Sequence, residues 1–230
     1  MASETVENYL KALHTLCEES PTGEAGLAKL ATLLGVTKGT ATSMVKRLVA
    51  MKLAKAQRYG GITLTAAGRA AALDVLRRHR LIETFLVRTL GFDWSEVHAE
   101  AERLEHAVSP RLLDRLDAFL GHPTADPHGD PIPDAKGRIP GSGGSTARSA
   151  SRPLSECTKG SRVRIARIRN QSESFLKLLD AHKIRPGAIV TVTSIDSVAG
   201  TLELATAPHS ARAKPLVLST TSAEGISVEG

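Results

Sequence analysis

Residues 4–20 place Val6, Tyr9, Leu10, Leu13, Leu16 and Cys17 at steps of three and four, one apolar helix face with Ser3 as its N-cap. Pro21-Thr22-Gly23 ends it. A short helix follows with Leu27, Leu30 and Ala31 inward, stopped at Gly35, and Thr37 caps a third whose inner face reads Ala41, Met44, Val45 and Leu48. After Leu53 the period changes. Ala54–Gln57 and Ile62–Leu64 flank Arg58-Tyr59-Gly60-Gly61, a two-stranded hairpin with a glycine turn. Thr65 caps a long helix to about Leu90. Asp93 with Glu96 three residues on is a capping-box arrangement and predicts a helix from 94 to about 107. Ser109-Pro110 opens another to Leu120, with Gly121 where a C-cap belongs.

Residues 121–155 are rich in proline, glycine and serine, and 139–155 reads as a linker, mobile around 138–152. Beyond it the signal is β: Val163, Ile165 and Ile168; Ile189, Val190, Val192 and Ile195; Leu202 and Leu204; Leu216 and Leu218; Ile226 and Val228. A helix near 172–181 (Phe175, Leu178, Leu179) interrupts it. Several short strands in so few residues suggest a small SH3-like barrel. The fold class is α+β: a winged helix-turn-helix over 1–73, a helical domain over 74–138, the linker, and a β-barrel over 156–230.

Composition adds limits. Of 230 residues 41% are apolar and 23% charged, which excludes general disorder and a fibrous repeat. Aromatics are only 3%, so the cores must be built from Leu, Val, Ile and Ala. The N-terminus has no signal-peptide pattern, and no stretch approaches the ~20 apolar residues of a membrane span. Cys17 and Cys157 lie far apart in sequence and fit a reducing compartment better than a disulfide. The expectation is a cytoplasmic chain with no membrane partner.

The formal charge of +6 matters less than where it sits. Between Glu24 and Asp74 there is no acidic residue, while the span carries Lys29, Lys38, Lys46, Arg47, Lys52, Lys55, Arg58 and Arg69. With the helix-turn-helix and hairpin this points to double-stranded DNA, the second motif helix in the major groove and the wing on phosphates. Thr37, Lys38, Thr40, Ser43, Lys46, Arg47 and Arg58 are the candidate contacts. The first turn of that helix lacks Arg, Asn and Gln, the usual bidentate base readers, so DNA shape and dimer spacing should supply much of the specificity.

Residues 76–120 instead hold eight acidic and seven basic side chains. His79 and Glu83 are four apart on the long helix and share a face. On the next, His98, Glu102, Glu105 and His106 fall within an arc of about 100°. Clustered carboxylates repel one another unless a cation lies among them. Carboxylate and imidazole without thiolate suit Mn²⁺ or Fe²⁺.

At this point a family resemblance appears. Arg78-His79-Arg80-Leu81-Ile82-Glu83, the run His98-Ala99-Glu100-Ala101-Glu102-Arg103-Leu104-Glu105-His106, the later Pro127-His128-Gly129-Asp130-Pro131-Ile132-Pro133 and residues 156–229 together resemble the diphtheria-toxin-repressor family with its FeoA-type C-terminal domain. The resemblance covers nearly the whole chain and implies two metal sites per chain. An ancillary site would use His79, Glu83 and His98, with Gln171 or Glu173 from the C-terminal domain. A primary site would use Glu102, Glu105 and His106 with a first-helix side chain, where this chain has Asn8. Glutamate at 102 matches the manganese-responsive branch, since iron-responsive members carry cysteine there. Lys11 replaces a second carboxylate of the compact manganese regulators and argues against a closely coupled binuclear site.

The function expected is therefore a homodimeric, metal-activated transcriptional regulator of metal homeostasis, Mn²⁺ first and Fe²⁺ second, with dimer contacts from Trp94, Leu112, Leu113, Leu116 and Phe119. Two alternatives stand beside it: a winged-helix regulator sensing a small organic ligand, and a metal-dependent hydrolase, for which no nucleophile motif or phosphate loop is present.

Overall fold

A computed structural model of the chain describes residues 3–57, 60–140, 151–206 and 215–230. They form two compact units: Met1–His79 with Glu105–Val108 and Pro133–Arg138, and Arg80–Leu104 with Ser109–Ile132 and Ile139–Gly230. Arg58 and most of the expected linker lie outside the described residues.

The first unit opens with α1 (Glu4–Glu19), α2 (Leu27–Leu33) and α3 (Lys38–Ala50). Val6, Leu10 and Leu13 of α1 are buried with Leu30, Ala41 and Leu48, as the three-and-four spacing requires. Ser3 stands at the N-cap position without a side-chain bond, whereas the Thr37 hydroxyl accepts from Thr40 N at 3.2 Å. Gly35 takes φ +63° in the turn between α2 and α3. The wing pairs β1 (Ala54–Ala56) antiparallel with β2 (Ile62–Leu64), and Ala25 adds a bridge to Ile62 with two 2.9 Å bonds. α4 (Ala66–Leu90) starts directly behind it. The Thr65 hydroxyl accepts from Gly68 N at 3.0 Å, and a Cβ on Gly68 would lie 1.9 Å from Leu53 O. Only glycine allows that approach.

The second unit holds the C-terminal part of α4, then α5 (Val97–Leu104), α6 (Pro110–Phe119) and a six-stranded antiparallel sheet. α5 begins three residues later and ends earlier than expected. Asp93 Oδ1 accepts from Ser95 N at 2.7 Å and Ser95 Oγ at 2.6 Å, closing a turn on itself, and Glu96 pairs with Lys177 rather than completing a capping box. The Ser109 cap and the Gly121 stop of α6 are as expected, Gly121 at φ +73°.

In the sheet the order is β3 (Arg152–Pro153), β8 (Ile226–Glu229), β4 (Arg162–Ile168), β5 (Ile189–Asp196), β6 (Thr201–Thr206) and β7 (Leu216–Ser219). Bulges between Ile165 and Arg167 and between Val192 and Ser194 shift the register. The first explains why the inward residues of β4 run 163, 165, 168. β3 and fully buried Leu154 fall within the stretch read as linker, so the ordered sheet starts there. α7 (Glu173–Ala181) covers the sheet with Phe175, Leu176 and Leu179; Leu176 takes the inward position expected for Leu178, which is exposed. α8 (Thr220–Glu224) precedes β8.

Trp94 belongs to this core. It is 2% exposed, stacked on His128 with ring centroids 5.6 Å apart, and the Arg185 guanidinium lies 5.1 Å from its ring. Its expected role in dimer contacts is thereby corrected: the indole is spent on the chain's own core. Leu113 is buried too, while Leu112 and Phe119 of α6 remain exposed. Among the described residues no helix is long and apolar enough to cross a membrane.

Candidate metal centres and DNA-binding face

In the first unit, Glu7 ends the first turn of α1, Asn8 follows it, and Lys11 lies one turn beyond Glu7. Glu105 and His106 come just after α5, where the chain has left the helix and turned. His106 reaches both α1 side chains, Nδ1 to Glu7 Oε2 at 2.6 Å and Nε2 to Asn8 Oδ1 at 2.8 Å. Glu105, fully buried, takes His79 Nδ1 at 2.5 Å on Oε2 and the Lys11 ammonium on both oxygens, at 2.7 and 3.0 Å. Arg78 grips Glu7 with two bonds of 3.0 and 3.1 Å and donates to Glu105 O at 2.8 Å.

These contacts set the charge states. Burial pushes the Glu7 carboxyl up, but Arg78 and His106 outweigh it and hold it below the usual range. The Glu105 carboxyl is likewise raised by burial and brought below its ordinary value by His79 and Lys11. Both stay ionised at neutral pH, with oxygens facing two imidazoles and an amide.

The same unit carries the basic face. Thr37, Lys38, Thr40, Ser43, Lys46 and Arg47 are all exposed on or beside α3, and the Thr37 and Thr40 hydroxyls bond each other at 2.9 Å. The first turn of α3 has no acidic residue.

The second unit contains a separate cluster. Glu83 of α4, with Asp126 and His128 from the 121–132 loop, offers ligand atoms within 4.8 Å of one another, all three residues buried. His128 Nε2 bonds Trp94 O at 2.8 Å; its Nδ1 is buried without a hydrogen-bond partner and faces Glu83 Oε2 at 3.7 Å. Asp126 Oδ1 accepts from the backbone N–H groups of His128 and Asp130, while Arg80 and Arg167 pair with Asp130. Burial, then Asp130 and Glu83, push the Asp126 carboxyl up to about 7. Burial lowers the His128 imidazole, but Glu83 and Asp126 more than reverse this and leave it raised. Gly129 at φ +86° lets this loop press on β4, where a Cβ would meet Ala166 O at 2.1 Å.

The sequence-derived ligands are thus distributed. Asn8, His79, Glu105 and His106 meet in the first unit. In the second, His98 Nδ1 bonds Glu83 Oε1 at 3.2 Å and its Nε2 lies 3.6 Å from Glu102. Gln171 donates to Asp130 Oδ2 at 2.7 Å. Glu173 is exposed and paired with Lys177 at 2.6 Å.

Three family models align with the chain: the iron dependent repressor N-terminal DNA binding domain over 1–62, the iron dependent repressor metal binding and dimerisation domain over 65–134, and the FeoA domain over 152–230. The iron-dependent repressor IdeR of Mycobacterium leprae is 34% identical over 195 residues, 82% of this chain and 84% of its own. This chain belongs to the iron-dependent repressor family. The diphtheria toxin repressor of Corynebacterium diphtheriae is 33% identical over 199 residues, 84% of this chain and 86% of its own. Among solved structures, a manganese-dependent transcriptional repressor in complex with manganese is similar at a TM-score of 0.85 and 38% identity, covering 98% of this chain and 99% of that one. These relatives are transcriptional repressors, so the hydrolase alternative falls: this iron-dependent repressor family member is a metal-dependent DNA-binding regulator and not an enzyme.

The residues of this family member fit a divalent cation in both clusters. The first offers only carboxylate, amide and imidazole donors, a set for Mn²⁺ or Fe²⁺ rather than for a thiophilic ion. In the second, His128 Nε2 donates to Trp94 O, so the neutral ring presents the lone pair of its buried, unpartnered Nδ1 beside two carboxylates, where an ion can take it. Glu7, Asp126 and His128 were not singled out by sequence spacing. Glu7 is legible only as Asn8's neighbour in the chain, and His128 sits in the Pro127–Pro133 motif without a periodic partner.

Proposed function

We propose that this repressor is activated by Mn²⁺, with Fe²⁺ as the weaker physiological candidate, and that its cytoplasmic homodimer binds a double-stranded DNA operator to control metal homeostasis. The observation that carries the reading is His106 bridging Glu7 and Asn8. α1 packs against α2, α3 and β2, so an ion held by Glu7, Asn8, Glu105 and His106 would fix the helix that supports the recognition helix. An ordered dimer then matches half-sites one turn of DNA apart, and binding tracks metal by linkage. Glu102 stays in the primary set, as its sequence position implies.

A second ion per chain has Glu83 as its common ligand. His98, bonded to Glu83, supports the family-implied set, and Asp126 with His128 supports an inner one. Gln171 and Glu173 are weaker members, since each already serves a neighbour. Thr37, Lys38, Thr40, Ser43, Lys46, Arg47 and Arg58 are the DNA contacts we infer, the lysines and arginines on phosphates.

The test is operator binding by the full chain after exhaustive chelation, titrated separately with Mn²⁺ and Fe²⁺. Binding that appears only with metal, at lower free Mn²⁺ than Fe²⁺, supports the reading. Equal binding without metal returns the chain to the organic-ligand alternative.

A further inference from the structure

Every oxygen of Glu105 is engaged, and the partner that bonds both carboxylate oxygens is not a candidate ligand. The Lys11 ammonium sits 2.7 Å from Oε1 and 3.0 Å from Oε2, filling the notch between the two carboxylate oxygens. A chelating divalent cation takes the same position on a bidentate carboxylate. The Lys11 side chain is 15% exposed and Glu105 is fully buried. Lys11 is one turn beyond Glu7 and three residues beyond Asn8, so α1 delivers two ligands and an ammonium on one face. Arg78 does not do this work: its guanidinium is committed to the Glu7 carboxylate and to the backbone oxygen of Glu105.

We propose that Lys11 is a tethered cation which compensates Glu105 in the metal-free protein and competes with the activating ion for it. The proposal rests on the metal-site reading above. A buried carboxylate left without a cation would be costly, so the ammonium keeps the empty site assembled. Metal entry must then push a positive charge off Glu105 while that charge remains anchored to α1. Two consequences follow. The site responds at a higher free-metal concentration than its donors alone would set, and the displaced ammonium, still anchored to α1 nearby, repels a second ion that would share Glu105, keeping the cluster mononuclear.

The experiment measures metal binding directly on the full chain, by electron paramagnetic resonance of free Mn²⁺ and by calorimetry, for the parent, Lys11→Met, Lys11→Arg, His106→Ala and the Lys11→Met/His106→Ala double variant. Lys11→Met should bind Mn²⁺ at the His106-dependent site at least about tenfold more tightly than the parent, because a repelling charge within a few ångströms has gone. Lys11→Arg keeps the charge and should stay near the parent, and the gain should vanish in the double variant. Metal-free Lys11→Met should melt earlier than the parent and recover more on Mn²⁺ addition. Where Lys11→Met does not fold without metal, Lys11→Gln, uncharged but able to hydrogen-bond, gives the same comparison. Unchanged or weaker Mn²⁺ binding in the uncharged variants overturns the proposal. Absence of any His106-dependent Mn²⁺ binding in the parent overturns the metal-site reading itself, and the proposal with it.

Discussion

The two buried polar clusters are made from the same residue types and solve opposite electrostatic problems. In the first unit, Glu7 and Glu105 each have a full cation in contact, Arg78 and Lys11, and both carboxyls sit below their ordinary values. In the second, Glu83 and Asp126 share their space with the imidazole of His128, the two arginines pair with Asp130, and Asp126 is driven up to about 7. One cluster is charged and closely compensated without metal; in the other, Arg80 reaches Asp126 only at 3.9 Å, and burial raises the carboxyl's hold on a proton. A cation entering the first displaces an ammonium. A cation entering the second displaces protons, so its affinity should rise with pH.

The largest effect expected from this contrast lies in the metal response. His106→Ala should weaken Mn²⁺-dependent operator binding about 100-fold or more, since even outer-shell changes cost 10–100-fold and His106 joins both α1 candidates. His128→Ala should shift the Mn²⁺ midpoint far less. Operator titrations of the two variants side by side decide it, and equal losses would erase the functional distinction between the clusters.

Next in size is the pH dependence of the metal-free fold. Glu7 and Glu105, held below 4.5, contribute stability that is present at neutral pH and lost as pH falls through their folded values. Asp126 works in the other direction. Raised from 3.8 to about 7, it contributes most below 3.8, and that contribution is lost as pH rises toward 7. His128, raised above 6.5, loses its contribution as pH rises further. Between pH 5.5 and 8 the melting temperature without metal should therefore fall. Asp126→Asn should flatten that slope and raise the midpoint at pH 7.5 by roughly 3 °C, the change about 1 kcal/mol makes in a chain of this size. An unaltered slope in thermal melts would place the titration elsewhere.

The smallest effect sharpens a single assignment. Gln171 bonds Asp130 within the second cluster, so Gln171→Ala should cost about 1 kcal/mol in denaturant unfolding and leave the Mn²⁺ stoichiometry unchanged. A lost equivalent of metal would make Gln171 a ligand.

Much of this architecture was legible because its segments carry a clean period. The apolar faces of α1 and α3 and the alternation on β5 and β6 sit where the spacing puts them. Legibility failed where a local bond or a distant partner overrode the pattern. Asp93 spends its carboxylate on Ser95, which delays α5; Trp94 looks like an interface anchor but finds its partners in His128 and Arg185; Arg152 pairs with Val228 from within a linker-like composition. The site divides similarly. Glu105 and His106 could be counted from His98 and Glu102 in the sequence, although the chain leaves the helix before them. Lys11 read as a missing carboxylate, and only the fold shows its ammonium on Glu105. Asp126 and His128 come from a loop, where spacing carries no information about facing.

Gly68 has a bearing on how this regulator tolerates change. Its α-carbon side presses on Leu53 O, and the same carbonyl accepts from Thr65 N at 3.0 Å, so the joint between the wing and the long helix is main chain against main chain. No rotamer can relax to make room there. Even the single methyl of alanine must wedge the hairpin away from the helix, so a saturation library scored for operator binding should show an intolerant position at 68. It would stand out among the exposed Ala66, Ala67, Arg69 and Ala70 as a veto written in backbone rather than in chemistry.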